Sequence, residues 1–258
     1  MIPLLSGSWQ KGIAMQFLKN HPFAVDAHFE SSLVLTFAVP KEQLQPLIPE
    51  CLELDTFDEK WAFIAIAMVQ TKYLRPKGFP RFMGNDFFLI GYRIFVRYVT
   101  SEGKRLRGLY IIKSETNKKK MQFFGNLFTH YNYTTTDISQ SFDQDVKTII
   151  SEKSKFRLQI DTAKGEVSLP AGSPFSEWKE ARRFAGPLPY TFTVNAEDKS
   201  TLIIKGVRAN WKPSPVEVIS YEFKFLESLN LEGAALANCF EIRDIPYCWE
   251  KGRLDSWR

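Results

Sequence analysis

Three features of the sequence predict a mainly β chain, an antiparallel closed barrel with a few peripheral helices. Strand-like alternation of apolar and polar residues runs through most of the chain. One run, DFFLIGYRIFVRYV at residues 86 to 99, is mostly apolar on both faces: Phe88, Ile90, Tyr92, Ile94, Val96 and Tyr98 on one, and Phe87, Leu89, Gly91, Arg93, Phe95 and Arg97 on the other. A strand apolar on both sides is covered on both sides, and closure into a barrel removes exposed edges. The third feature is a set of tight polar turns, Asp58-Glu59-Lys60, Ser101-Glu102-Gly103 and Glu197-Asp198-Lys199, that suit antiparallel hairpins.

In chain order, the strands are predicted at Ser32 to Val39, Cys51 to Phe57, Trp61 to Val69, Asp86 to Val99, Leu106 to Lys113, Tyr131 to Ile138, Phe156 to Thr162, Tyr190 to Asn195, Thr201 to Val207 and Val216 to Phe225. Helices are fewer. Lys41 to Ile48 lies between Pro40 and Pro49, and Pro46 limits it to a turn or two. Asn117 to Phe128 is the second. Ser173 to Phe184 opens on Ser173-Pro174, an N-cap with proline at the first helical position, and closes at Gly186-Pro187.

A chain of 258 residues can bury one large core, and no Pro-, Ser- or Gly-rich stretch marks a linker, so residues 1–258 are read as a single domain. Lys plus Arg exceed Asp plus Glu by 34 to 29, and the excess is scattered except at Lys118, Lys119 and Lys120. That is a weakly basic surface without the basic stripe and interleaved aromatics of a nucleic-acid binder. Cys51, Cys239 and Cys248 have no CxxC spacing and read as buried apolar groups. His21, His28 and His130 never pair with an acidic partner at metal-ligand spacing. No metal is expected. GxSxG, GxGxxG and P-loop patterns are missing, so no cofactor is expected either. The five apolar residues at the start lack the pattern of a signal peptide, and the longest apolar run, Trp61 to Val69, is far shorter than the ~20 residues of a membrane helix. A soluble, cytoplasmic protein is expected.

The stretch PKEQLQPLIPECLELDTFDEKWAFIAIAM, with its Leu47 to Pro49 step, Leu52 to Asp58 and Trp61, is followed by further motifs. These are Arg75 to Gly78, Arg93 on a strand, Ser114 to Thr116, Gly125 to Tyr133, Gly186 to Phe192 and Trp211 to Pro213. Their types and order resemble the YqjF-type family of uncharacterised bacterial proteins, a branch of the acetoacetate-decarboxylase-like superfamily, over residues 30 to 225. The resemblance implies a mostly antiparallel closed barrel holding a cavity, with a small carboxylate or keto acid as ligand and assembly into a homo-oligomer.

Decarboxylases of this superfamily form a Schiff base between a lysine and a keto acid, the lysine being activated by a neighbouring cation. Their reactive lysine opens a Pro-Lys-Lys step a few residues after a glutamate. Here Glu115 precedes Lys118 and Lys119, with Asn117 in place of the proline. Helical spacing instead puts Lys120 over the apolar side formed by Met121, Phe123, Phe124, Leu127 and Phe128. Glu115, Lys118, Lys119 and Lys120 are therefore the catalytic candidates, against a plain reading of three solvated lysines or an anion site at a helix N-terminus.

Arg93, His130, Tyr131 and Tyr133 are the ligand-binding candidates. Arg93 sits on an otherwise apolar strand face, where it needs either a buried salt bridge to Glu53, Asp55 or Glu115 or a ligand carboxylate. If residues from Tyr131 onward form a strand, Tyr131 and Tyr133 share one face. Two functions stay open: a barrel binding a small organic acid or keto compound with decarboxylase-like Schiff-base lyase activity, and a non-catalytic ligand-binding or sensory barrel with the same pocket.

Overall fold

The computed structural model describes residues 17–163, 165–186, 188–209 and 211–257. Its strands are β1 (Val25–Pro40), β2 (Leu52–Leu54), β3 (Trp61–Pro76), β4 (Asn85–Val99), β5 (Arg105–Thr116), β6 (Thr134–Thr135), β7 (Ser139–Asp143), β8 (Val146–Ser151), β9 (Phe156–Asp161), β10 (Tyr190–Asn195), β11 (Ser200–Arg208), β12 (Ser214–Pro215), β13 (Glu217–Phe223), β14 (Ala235–Trp249) and β15 (Arg253–Ser256). The helices α1 (Lys41–Leu44), α2 (Lys119–Phe128), α3 (Trp178–Phe184) and α4 (Lys224–Ser228) accompany them.

Eleven strands form one sheet, and β7, β8, β9 and β13 form a second. Within the large sheet the long strands β14, β1, β3, β4 and β5 are successive antiparallel neighbours. Next come β10 and β11, and β11 also pairs with β14 through Gly206, Val207 and Arg208, so the hydrogen-bonded path returns to its start. The expectation of an antiparallel sheet is corrected at two places. β10 runs parallel to β5, with Tyr190 opposite Gly108, and β6 runs parallel to β5 as well. Between β5 and β10 the chain leaves to build α2, β7 to β9 and α3, and a crossover of that length can return in the same direction.

The three predicted hairpin turns are present. Asp58, Glu59 and Lys199 take positive φ, as does Gly103, the backbone form that tight hairpins need. The expected strand from Tyr131 shrinks to the two residues of β6, and Pro46 ends α1 in a single turn of 3-10 helix. Of the cysteines, Cys239 is buried as expected, whereas Cys51 and Cys248 are half-buried; all three are free thiols. Among the described residues no helix is long and apolar enough to cross a membrane, and no cluster of His, Cys, Asp or Glu could hold a metal ion.

Both faces of the long strands are covered, for different reasons. Leu33, Leu35, Ile64, Ile66, Ile90 and Ile94 pack in one core with Ile149, Leu158 and Ile160 of the small sheet. The opposite face turns toward a cavity, and α3 with Phe175 packs on Phe63 and Phe95 at one end. Buried Asp55, just after β2, ties this end together. Its Oδ1 accepts from Arg97 Nε at 2.6 Å and its Oδ2 from Arg107 Nε at 2.6 Å, and a second nitrogen of each guanidinium lies equally close. Arg107 also donates to the Phe184 carbonyl at 3.1 Å, linking the clamp to α3.

A bulge between β4 and β5 decides which side chains face the cavity. Arg93 lies opposite Ile111, but Tyr92 lies opposite Lys113, so Ile112 is an extra residue. Each extra residue reverses the in-out alternation beyond it. Leu109 and Ile111 therefore share the face of Arg93, whereas beyond the bulge that face is taken by Ser114, and Lys113 and Glu115 turn to the other side with Tyr92 and Ile90.

Candidate functional site

The cavity on the inner face of the large sheet measures about 110 Å³. Strands β1, β3, β4 and β5 supply mostly aliphatic and small side chains, while Arg93, Tyr131, Tyr133, Arg208 and Tyr247 supply the chemistry. Arg93 projects over Gly91: a Cβ built on that glycine would stand 2.9 Å from Arg93 Nε. Glycine at 91 thus makes the floor on which the guanidinium lies.

None of the carboxylates expected as partners reaches Arg93. Glu53 pairs with Arg105 at 2.6 Å, Asp55 with Arg97 and Arg107, and Glu115 with Lys113 at 3.2 Å. Among the described residues no carboxylate pairs with Arg93, and its Nε is buried without a hydrogen-bond acceptor. Burial pushes the guanidinium below its ordinary pKa, opposed by the nearby Tyr247, Tyr133 and Tyr131 hydroxyls. Burial also pushes Tyr133 up to about 12, with Arg93 working against that shift. The tyrosines therefore stay neutral donors beside a cation.

Gly91→Ala is expected to displace the guanidinium while leaving the fold in place. The variant should lose about 1 to 3 kcal/mol of stability, since one methyl must be fitted against the Arg93 side chain. Thermal unfolding checks the fold, and a carboxylate titration of the same sample should show weakened binding.

Tyr131 and Tyr133 reach the cavity through a locked turn rather than a strand. Asn126 on α2 donates to the Tyr133 carbonyl at 2.9 Å and accepts from its backbone N–H at 2.6 Å. Tyr133 packs its ring directly over Gly125, where any Cβ would collide with it. Asn132 between the two tyrosines takes φ of 51°, a left-handed value that asparagine tolerates better than most residues, and is exposed. The GNLFTHYNY motif is thus the device that aims two tyrosines at Arg93.

His130 is placed elsewhere. Its Nε2 meets Asn20 Oδ1 at 3.1 Å, outside the cavity, and burial with Lys19 nearby lowers its pKa. The chain direction sets this, because His130 adjoins Tyr131 and projects away from the side on which the tyrosines lie.

The lysine run also stands apart from Arg93. Lys118, Lys119 and Lys120 are all exposed, and α2 begins at Lys119 with Lys118 as its N-cap position. Lys120 does not lie over a buried face: Met121 packs inward and Gly125 is buried, but Phe123 and Phe124 are 65% and 41% exposed. Lys119 lines a cleft together with Glu115, and that cleft shares no lining residue with the Arg93 cavity. The bulge at Ile112 is the reason, since it sends Glu115 to the other face of β5.

Arg208, Trp211, Tyr247 and Trp249 line the cavity without having been anticipated. The Arg208 guanidinium lies 4.5 Å from the centre of the Trp211 ring and 5.9 Å from that of Tyr247, a cation-π arrangement. Tyr247 and Trp249 come from β14, whose EIRDIPYCW segment is too rich in charge and too interrupted by Pro246 to show a strand period. The signal for Arg208 was available in the alternation of β11, which ends on it.

A family model of uncharacterised conserved proteins, DUF2071, matches residues 26–241. The chain belongs to the DUF2071 family. This bears out the YqjF-type resemblance read from residues 30 to 225. No curated relative matches the sequence. Among solved structures, the DUF2071 chain is similar to acetoacetate decarboxylase from Legionella pneumophila, with a TM-score of 0.63 and 11% identity over 99% of this chain and 98% of that one. An acetoacetate decarboxylase-like enzyme from Sphingomonas wittichii aligns with a TM-score of 0.55 and 12% identity over 92% and 93% of the two chains. The enduracididine biosynthesis enzyme MppR, complexed with a condensation product of pyruvate and imidazole 4-carboxaldehyde, aligns at 0.52 and 9% over 90% and 89%. At such identities the DUF2071 chain shares the fold of these proteins.

Proposed function

We propose that the returning path of strands acts as a closed barrel whose interior binds a small carboxylate or keto acid through Arg93. The observation that carries this reading is a half-buried arginine on the cavity wall, its Nε fully buried, with no carboxylate partner among the described residues. Such a charge is costly to bury unless something pairs with it, and a ligand carboxylate fits the guanidinium fork. Size limits the ligand. A cavity of ~150 Å³ accepts benzene, so about 110 Å³ suits an acid of a few carbons. Fold neighbours named for acetoacetate, and one holding a pyruvate condensation product, support keto acids as the first compounds to try.

The test is a thermal-shift and NMR titration of the full chain with pyruvate and acetoacetate, set against the uncharged amide of pyruvate. The acids should raise Tm and shift resonances of Gly91, Arg93 and Tyr133, while the amide should not. Equal responses, or none at millimolar ligand, overturn the reading.

Between a lyase and a non-catalytic or sensory barrel, the geometry favours the second. A Schiff base needs an unprotonated amine in contact with the ketone. The described residues lining the Arg93 cavity include no lysine, and Lys119 and Glu115 line the separate cleft. Borohydride added with pyruvate or acetoacetate between pH 5 and 9 is therefore expected to trap no adduct on Lys118, Lys119 or Lys120 by mass spectrometry. A stoichiometric adduct on any of them would restore the lyase.

A further inference from the structure

We propose that the cleft between the two sheets is a second binding site, independent of the Arg93 cavity, for the phosphate monoester of a hydroxylated small molecule such as a sugar or polyol phosphate. The cleft measures about 760 Å³ and opens where the β8–β9 turn meets the end of β5 and the start of α2. Five lysines line it, Lys113, Lys119, Lys153, Lys155 and Lys224, against one carboxylate, Glu115.

Some of that charge is already matched. Lys113 lies 3.2 Å from Glu115, Lys224 is held by Glu227 at 2.7 Å and Glu222 at 3.3 Å, and Lys153 donates to the Thr135 carbonyl at 2.7 Å. Lys119 and Lys155 have no acidic partner among the described residues, and both are exposed. Both line the cleft, and Lys119 is the first residue of α2, a ten-residue helix whose N-cap makes no side-chain hydrogen bond. Uncapped amides and two unpaired ammonium groups together favour an anion of high charge density, and a phosphate monoester carries about −1.5 to −2 at pH 7.

Glu115 specifies the rest of the ligand. It is 4% exposed, and its Oε1 accepts from Ser154 at 2.5 Å, but its Oε2 has no partner. An ionised carboxylate only accepts, so the missing partner is a donor, which the phosphoryl group of a monoester dianion does not provide and a sugar hydroxyl does. Gln122, Thr134 and Thr135 add neutral polar groups to the same wall. The site thus combines a phosphate end at Lys119 and Lys155 with a hydroxyl end at Glu115.

Calorimetric titration of the full chain with glucose 6-phosphate, inorganic phosphate and glucose tests this. The ester should bind at least about tenfold more tightly than inorganic phosphate, and glucose should show no saturable binding. A Lys119→Gln/Lys155→Gln double variant, altered only at exposed positions, should keep its Tm and lose about tenfold or more in ester affinity. Glu115→Gln should erase the preference for ester over inorganic phosphate, and Arg93→Met should change neither. Absence of ester binding at millimolar concentration, equal binding of ester and phosphate, or binding that survives the double substitution would each overturn the proposal. Failure here leaves the carboxylate reading of the Arg93 cavity untouched, because the two sites are titrated with different probes.

Discussion

Replacing Arg93 by methionine should leave the protein folded and at least as stable as the parent, while abolishing carboxylate binding. In most proteins the loss of a buried arginine is destabilising, because it strands a carboxylate partner. Arg93 has none to strand among the described residues: Glu53, Asp55 and Glu115 are each engaged by other cations. Methionine has similar length and no charge to desolvate, so the expected change is between neutral and a gain of about 2 kcal/mol. A ligand held by a charge-assisted pair inside an apolar cavity loses about 3 to 5 kcal/mol when the cation is removed, a fall of roughly two to nearly four orders of magnitude in affinity. Thermal unfolding with and without pyruvate reads both halves at once. A large drop in the Tm of the free protein would mean that the guanidinium serves the fold, and the ligand reading would fall with it.

The parts of this arrangement that the sequence disclosed are those governed by short-range rules. A strand apolar on both faces required two coverings, and β4 has them: the small sheet on the side of Ile90 and Ile94, the cavity on the side of Leu89 and Phe95. Arg93 on that second face read directly as a cation in apolar surroundings, and the Tyr131-Asn132-Tyr133 ending of the GNLFTHYNY motif put the two tyrosines on a common side. The turn that does so is an Asn132 in left-handed conformation clamped by Asn126, not the strand that was expected, so the residues were legible and the device was not.

What escaped the sequence depended on register. Counting by twos along β5 from Leu109 gives Ile111, Lys113 and Glu115 on the face of Arg93, which would hand Arg93 both a salt-bridge partner and a lysine. The single extra residue at Ile112 sends Lys113 and Glu115 to the opposite face. No local preference in RLRGLYIIKSET marks that position. β14 escaped for a related reason: a strand that buries Asn238 and Glu241 and carries Arg243, Asp244 and Pro246 has no apolar period to read, yet it brings Tyr247 and Trp249 to the site.

Asp55→Asn should be the most damaging single substitution among the charged residues, costing about 3 to 5 kcal/mol. Asp55 is fully buried, and each of its oxygens is engaged by one guanidinium, Arg97 on β4 and Arg107 on β5. Asparagine keeps the shape but removes the charge and turns one acceptor into a donor, which then faces an arginine that can only donate. The guanidiniums lose their common counter-charge in a place where water replaces it poorly. Because Arg107 also holds the Phe184 carbonyl and lies 4.9 Å from the centre of the Phe184 ring, the damage should spread to α3, which covers that end of the cavity. Amide exchange should accelerate at Ala181 and Ala185 before it does in β3, and Tm should fall by about 10 °C at the usual few degrees per kcal/mol for a chain of this size. If instead Tm moves by only a degree or two, the clamp is a solvated surface pair in effect. The contrast with Arg93 is the physical point: Asp55 has a full set of partners and ties β4, β5 and α3 together, whereas on the carboxylate reading proposed above the partner of Arg93 comes from outside.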